Sequence, residues 1–269
     1  MPIARVKEVD IAYEMAGESG PPLVMVHGSW VGGANWALSV PDLSKSFRVV
    51  TYDRRGHNGS SAPGGGKISD DVEDLAGLMA HLGLDRAHIV GGSYGSIVSL
   101  RFASAHPELV LSVNVHEPPM VDMLKLDPDD TQLYQSFWAD IAPVRRHLEA
   151  GRNEKGAEAF VEGLFPGAWA TIPEAVRPLF SANGPTFLDE LNDPESYGMA
   201  DAALAGINAP CLLTDGSESP PFFARVISQI APRISGARRH TFQGAGHVPH
   251  QSHVPQFVEK VTKFAFGVE

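Results

Sequence analysis

The stretch Ala87-His88-Ile89-Val90-Gly91-Gly92-Ser93-Tyr94-Gly95 carries the strongest structural signal in the chain. A short apolar run, 87–90, leads directly into Gly-Gly-Ser-Tyr-Gly, and a helical pattern follows over 94–106. A serine on a sharp strand-to-helix turn has the layout of a nucleophile elbow. The turn lifts a hydroxyl, a poor nucleophile at neutral pH, clear of the backbone and toward a base. Gly91 and Gly95 flank the serine where side chains would collide, and a helix starting at Tyr94 would direct backbone N–H groups toward developing negative charge. The pentapeptide alone is weak. In 269 residues with 27 Gly, composition gives roughly 0.2 chance matches to Gly-x-Ser-x-Gly, so the surroundings must carry the inference.

Outward from the elbow, further β-like runs lie at 23–26, 48–52, 110–116, 211–214 and 238–242, with helical patterns at 70–82 and 221–230 among those separating them. Val254, Phe257, Val258, Val261, Phe264 and Ala265 make one apolar helical face at the C-terminus. This alternation predicts an α/β fold with a mostly parallel sheet covered on both faces. The middle differs. Leu133, Phe137, Ile141, Val144 and Leu148 recur at helical spacing, and Pro or Gly separates shorter helical pieces at 157–164, 173–181 and 186–191, with no comparable strand. Residues 118–207 are therefore expected to be an inserted helical cap on a core formed by 1–117 and 208–269, and 62–66 a loop.

Charge marks the same division. Acidic against basic residues count 13 to 9 in 1–117, 15 to 6 in 118–209 and 4 to 6 in 210–269, so the excess behind the net −11 is concentrated in the middle. That balance argues against nucleic acid or an anionic membrane surface as a partner. No apolar run approaches the roughly 20 residues of a membrane span. Residues 1–16 alternate polar and apolar positions and lack the basic-then-apolar order of a secretory signal, so a cytoplasmic protein is expected. The single Cys211, within an apolar run, reads as a buried small residue. Oligomeric state, a homodimer included, is left open.

Other features converge on the elbow. His27-Gly28-Ser29-Trp30 follows the run 23–26, where a turn could expose N–H groups, and Gly244-Ala245-Gly246-His247 follows the last run and puts a histidine at a strand's carboxyl end. Both lie where α/β folds bind ligands. Asp53-Arg54-Arg55-Gly56-His57-Asn58-Gly59-Ser60 follows another strand. With the His-Gly turn at 27–28, the Asp-x-Arg-Gly-x-x-Gly stretch at 53–59, the elbow, the inserted segment and Gly-x-Gly-His at 244–247, the chain resembles the α/β-hydrolase family over essentially its full length. Asn58 departs from the glycine usual there. The resemblance implies an eight-stranded sheet, Ser93 as nucleophile, His247 as general base, and the backbone N–H groups of Ser29 and Tyr94 as oxyanion hole.

The acid is less direct. Many members carry Asp in a Gly-x-x-Asp loop after the seventh strand, but here that loop reads Gly216-Ser217-Glu218-Ser219, and a neutral hydroxyl cannot stabilise an imidazolium. Glu117, in Val115-His116-Glu117-Pro118-Pro119, matches the branch with a catalytic Glu after the sixth strand, which includes cofactor-free lactonases acting on zearalenone. The segment 247–253 is similar to those lactonases too. Glu218 and Asp215 remain alternatives, and a Glu before Pro-Pro could instead simply end a strand in solvent.

Most of the 11 histidines need no function: His250 and His253 read as capping or packing groups, and His27 as shaping its turn. Asp53 is expected to fix its loop through hydrogen bonds and an Arg pair. Tyr134, Phe137, Trp138, Phe165 and Trp169 are mainly core, with Trp169 and Trp30 chosen as substrate contacts. Asp127, Asp129 and Asp130 read as a solvated loop and helix cap, not a metal site.

Serine at the elbow limits the chemistry. Attack on a carbonyl gives an acyl-serine that water can cleave, whereas opening a halide or epoxide would leave a serine ether with no carbonyl to attack. The expectation is a cofactor-independent hydrolase of esters or lactones acting on an uncharged, largely apolar small molecule. Rival readings are C–C bond hydrolase, lyase or perhydrolase chemistry on the same triad, and a non-catalytic ligand-binding protein.

Overall fold

The computed structural model describes residues 1–62 and 64–268; Pro63, in the loop expected over 62–66, lies outside the described residues. Eight strands form one sheet in the order β1-β2-β4-β3-β5-β6-β7-β8. β1 (Ile3–Val6) and β2 (Val9–Ala16) form an antiparallel hairpin, and β2 also pairs antiparallel with β4 (Arg48–Tyr52). All remaining pairs are parallel: β3 (Pro22–Val26) with β4 and β5 (Ala87–Gly92), then β6 (Val110–His116), β7 (Cys211–Gly216) and β8 (Arg238–Phe242). The six runs read from sequence are strands. The hairpin was not among the runs read from sequence; in β1 it buries every second residue. β3 and β7 are buried along their whole length, as strands covered on both faces must be.

α2 (Ile68–His81) and α3 (Tyr94–Ala105) pack on one face. α1 (Val40–Leu43) and the C-terminal helix, Val254–Ala265, pack on the other, where Phe257 and Val261 meet Leu23, Met25 and Trp36. Between β6 and β7 the described residues form helices and no strand: α4 (Thr131–Glu149), α5 (Asn153–Leu164), α6 (Arg177–Ala182), α7 (Gly184–Asn192) and α8 (Asp201–Ala205). The periodic face of α4 is buried at Phe137, Ile141, Val144 and Leu148. α9 (Pro221–Ile230) follows β7, and its Arg225 pairs with Asp130 at 2.6 Å and Asp127 at 3.2 Å. Asp130 is therefore buried and ion-paired, not solvated; only Asp127 acts as a cap, accepting from the Asp129 N–H at 3.0 Å. Cys211 is buried, which pushes its thiol up to about 12. Among the described residues no helix is long and apolar enough to cross a membrane.

Candidate active site

Ser93 stands between β5 and α3 with φ 54° and ψ −128°, a conformation L-residues avoid, and its N–H is tied to the His116 carbonyl at 2.9 Å. The two flanking glycines are required by close approach. A Cβ on Gly91 would lie 2.5 Å from the Gly95 carbonyl oxygen, and one on Gly95 would lie 2.3 Å from that of Val26, so side chains there would push α3 off the sheet.

His247 lies in the loop after β8, its ring stacked against Phe223 (4.9 Å) and Phe165 (5.4 Å). Its Nδ1–H donates to Glu117 Oε2 at 2.5 Å, and the other carboxylate oxygen accepts from the Gly216 N–H at 2.8 Å. Glu117 is fully buried, at φ 51°. Ending a strand in solvent is thus not its situation. Burial alone would raise its carboxyl, but the His247 hydrogen bond and neighbouring histidines overcome this and hold it at about 2. Ser219, at the position usual for the acid, is close enough to help hold Glu117 ionised, though its hydroxyl lacks a well-formed hydrogen bond. The other acid candidates lie elsewhere: Glu218 is exposed with the Ser217 hydroxyl as neighbour, and Asp215 accepts from Thr241 at 2.6 Å. His116 Nε2 lies 3.7 Å from the same Glu117 oxygen. Ligand atoms of His116, Glu117 and His247 fall within 4.8 Å of one another, and of these groups His247 Nδ1 and Glu117 Oε2 are joined by a hydrogen bond.

The 27–30 turn abuts the serine. A Cβ on Gly28 would come within 2.8 Å of Ser93 Cβ. His27 shapes this turn as expected, donating from Nδ1 to the Gly28 carbonyl at 2.7 Å and accepting the Arg54 N–H at Nε2 at 2.8 Å. Asp53 fixes its loop through the N–H groups of Gly33 (2.8 Å) and Gly59 (3.0 Å). Its expected Arg partner is not there: Arg54 turns inward to Asp71 and Glu190, and Arg55 pairs with Asp74. Asn58 takes the glycine position at φ 43°, which asparagine tolerates better than most residues.

Glu190 belongs to α7 and was not foreseen. Its carboxylate accepts from Arg54 and, at 2.5 Å, from Ser29 Oγ. Burial drives both carboxyls flanking Arg54 upward, Glu190 to about 7 and Asp71 to about 6, because one buried guanidinium cannot compensate two anions. Arg54 also lies over the Tyr94 ring, 4.7 Å from its centroid.

Ser93, Ser29 and His247 line two adjoining cavities, one of about 160 Å³ and one of about 20 Å³. Phe160 lines both. The larger continues over Val161, Phe165 and Phe180, and the smaller over Tyr94, Phe137, Phe187 and Phe222. No Lys or Arg is among the described residues lining either. Trp30 and Trp169, expected to touch substrate, line neither cavity. Trp30 is buried behind Phe160, Phe180 and Phe187, and Trp169 packs against Phe180 under the Arg177 guanidinium. Helical spacing marks Trp169 as inward-facing, and Trp30 stands out for its place in the 27–30 turn, but neither signal can tell a cavity wall from the layer behind it.

Residues 23–260 match the model of the alpha/beta hydrolase family. A 2-hydroxymuconate semialdehyde hydrolase of a Pseudomonas strain is 27% identical over 261 residues, covering 91% of this chain and 87% of its own length. Among solved structures, an α/β hydrolase from Sphaerobacter thermophilus superposes with a TM-score of 0.77 at 27% identity, over 96% of this chain and 99% of the other. An enol-lactonase from Burkholderia xenovorans gives the same TM-score at 22% identity, over 98% and 100%, a likeness of fold alone.

Proposed function

The chain belongs to the α/β-hydrolase family, and from that premise we propose that it is a serine hydrolase cleaving a carboxylic ester or lactone of an uncharged, largely apolar small molecule. The observation that carries this reading is a strained serine lining the same apolar cavity as a histidine whose far nitrogen is held by a buried carboxylate. In this mechanism Ser93 Oγ attacks the carbonyl and His247 Nε2 takes its proton. The negative charge developing on oxygen is met by the N–H groups of Ser29 and Tyr94, and Glu117 stabilises the imidazolium. His247 returns the proton to the departing alkoxide, then activates water against the acyl-serine. These groups suffice for acyl transfer without a cofactor. The helices of 118–207 act as a cap whose phenylalanines enclose the substrate.

A second reading, C–C bond hydrolysis, is favoured by the semialdehyde hydrolase relative. The cavity walls support the first reading over it, since among the described residues no Lys or Arg lines them to receive the carboxylate that a muconate-type substrate carries. The test is Ser93→Ala with a p-nitrophenyl ester. Burst release and turnover should fall by roughly 10³-fold or more, and retained turnover would refute the acyl-serine route. A rate higher on a dienoate C–C substrate than on any ester or lactone would favour the second reading.

A further inference from the structure

Trp30 is a bulky residue at φ 67° in the turn that abuts Ser93. Such a conformation persists only where the surroundings over-determine it. Here the helical insert supplies those surroundings. Asn183 Nδ2 donates to the Trp30 carbonyl at 2.8 Å, Phe180 stacks on the indole at 5.7 Å with planes 6° apart, and Glu190 holds the Ser29 hydroxyl at 2.5 Å. Both residues that follow Gly28 are thus anchored from α7 and the residues just before it, some 150 positions away in sequence. Glu190 is itself fixed by Arg54, which leads back to the 53–59 loop and to the ring of Tyr94.

We propose that Glu190, through its hydrogen bond to Ser29 Oγ, is a positioning residue that holds the 28–30 turn so that the Ser29 N–H points at the developing oxyanion. This rests on the acyl-transfer reading above. The carboxylate touches neither substrate nor reacting atoms; it acts by restricting Ser29, and Asn183 restricts the next residue in the same way. A donor aimed in advance costs no reorganisation when charge develops, so loosening it should weaken transition-state binding and leave ground-state binding almost untouched.

The test is a double-mutant cycle on the full chain with Ser29→Ala, Glu190→Ala, which unlike an amide leaves no group to bond the hydroxyl, and the pair, assayed with a p-nitrophenyl ester and titrated with an alkylboronic acid, which forms a tetrahedral anion on serine. Each single change should lower kcat about ten-fold, short of the roughly 10²–10³-fold loss from deleting an oxyanion donor. KM should stay within about two-fold, boronate affinity should fall with kcat, and the double variant should lose no more than the worse single. Ser29→Thr, which keeps a hydroxyl, should recover most of the rate. Multiplicative losses, a change confined to KM, or unchanged kcat in either single variant overturns the proposal. Should Glu190→Ala fail to fold, Ser29→Ala leaves the Arg54–Glu190 pair intact and decides with Ser29→Thr. Ser93→Ala separates the two levels. If it is inactive while the cycle is multiplicative, only the positioning role fails; if it is active, both fail.

Discussion

Replacing Glu117 by Gln tests the proposed acid at the point where the geometry is most demanding. Both carboxylate oxygens accept hydrogen bonds, one from His247 Nδ1–H and one from the Gly216 N–H, and the side chain is fully buried. An amide has only one acceptor oxygen, so in either orientation its NH₂ faces a donor, and the relief open to the site is for His247 to shift its proton from Nδ1 to Nε2. That tautomer cannot accept the serine proton. The electrostatic part can be scaled from the carboxyl itself: lowering it from 4.5 to about 2 corresponds to about 3 kcal/mol of preference for the charged form. Losing that preference in a transition state with an imidazolium is worth roughly 10²-fold, and the wrong tautomer extends the loss toward roughly 10⁴-fold. Stopped-flow hydrolysis of a p-nitrophenyl ester should show kcat reduced between these limits, with KM nearly constant. Glu218→Gln, on an exposed carboxylate, should stay within about two-fold of the parent. A Glu117→Gln variant retaining a third of kcat, or a larger loss at Glu218, would refute the assignment.

Gly28→Ala should cut the rate of fluorophosphonate labelling of Ser93 by at least about ten-fold while the chain stays folded, because the new methyl sits 2.8 Å from Ser93 Cβ; unchanged labelling would mean that the turn does not abut Ser93. Stability should fall on acidification from pH 8 to 5.5. Burial depresses His27, His57, His88, His116 and His250 below 6.5, so unfolding takes up protons there at roughly 1.4 kcal/mol per proton per pH unit, and stability from these groups is lost as pH falls through 6.5. Asp71 and Glu190, raised to about 6 and about 7, act in the opposite sense but are two groups against five, so urea midpoints that rose toward pH 5.5 would contradict the burial pattern.

What the sequence conveyed and what it withheld divide along a physical line. The elbow, the His247 loop and the six parallel strands are local patterns, in which a few adjacent residues determine backbone shape, and each lies where its pattern indicated. The Glu190–Ser29 contact joins residues 161 positions apart and leaves no local trace, since a glutamate on an amphipathic helix looks like any other. The inward turn of Arg54 was hidden for a related reason. An Asp-Arg-Arg run suggests an immediate pair, but Asp53 is satisfied by backbone N–H groups, so Arg54 is compensated from α2 and α7 instead. The β1–β2 hairpin was missed: the alternation of 1–16 was legible as a pattern, but its pairing, β1 with β2 and β2 with β4, joins separate segments.

Moving the proposed acid from the loop after β7 to the end of β6 raises a question of reach. His247 follows β8, and β7 lies between β6 and β8, so the histidine loop must cross the end of β7 to meet Glu117. Adjacent strands are about 4.8 Å apart, and a side chain at the crossing would hold the loop away. Gly216 ends β7, and a Cβ there would lie 2.3 Å from the Ala245 carbonyl oxygen and 2.7 Å from that of Gly246. The bare backbone at that point lets the loop descend onto the sheet edge, while the Gly216 N–H anchors the carboxylate oxygen not used by His247. The positive φ at Glu117 belongs to the same arrangement, in which Trp30, Ser93 and Glu117 follow β3, β5 and β6, neighbours in the sheet. Unfavourable backbone at three adjacent strand ends is what a site pays in stability when packing is used to aim side chains. The serine of the elbow therefore depends on a glycine two strands away, because Gly216 allows the proposed acid to work from β6.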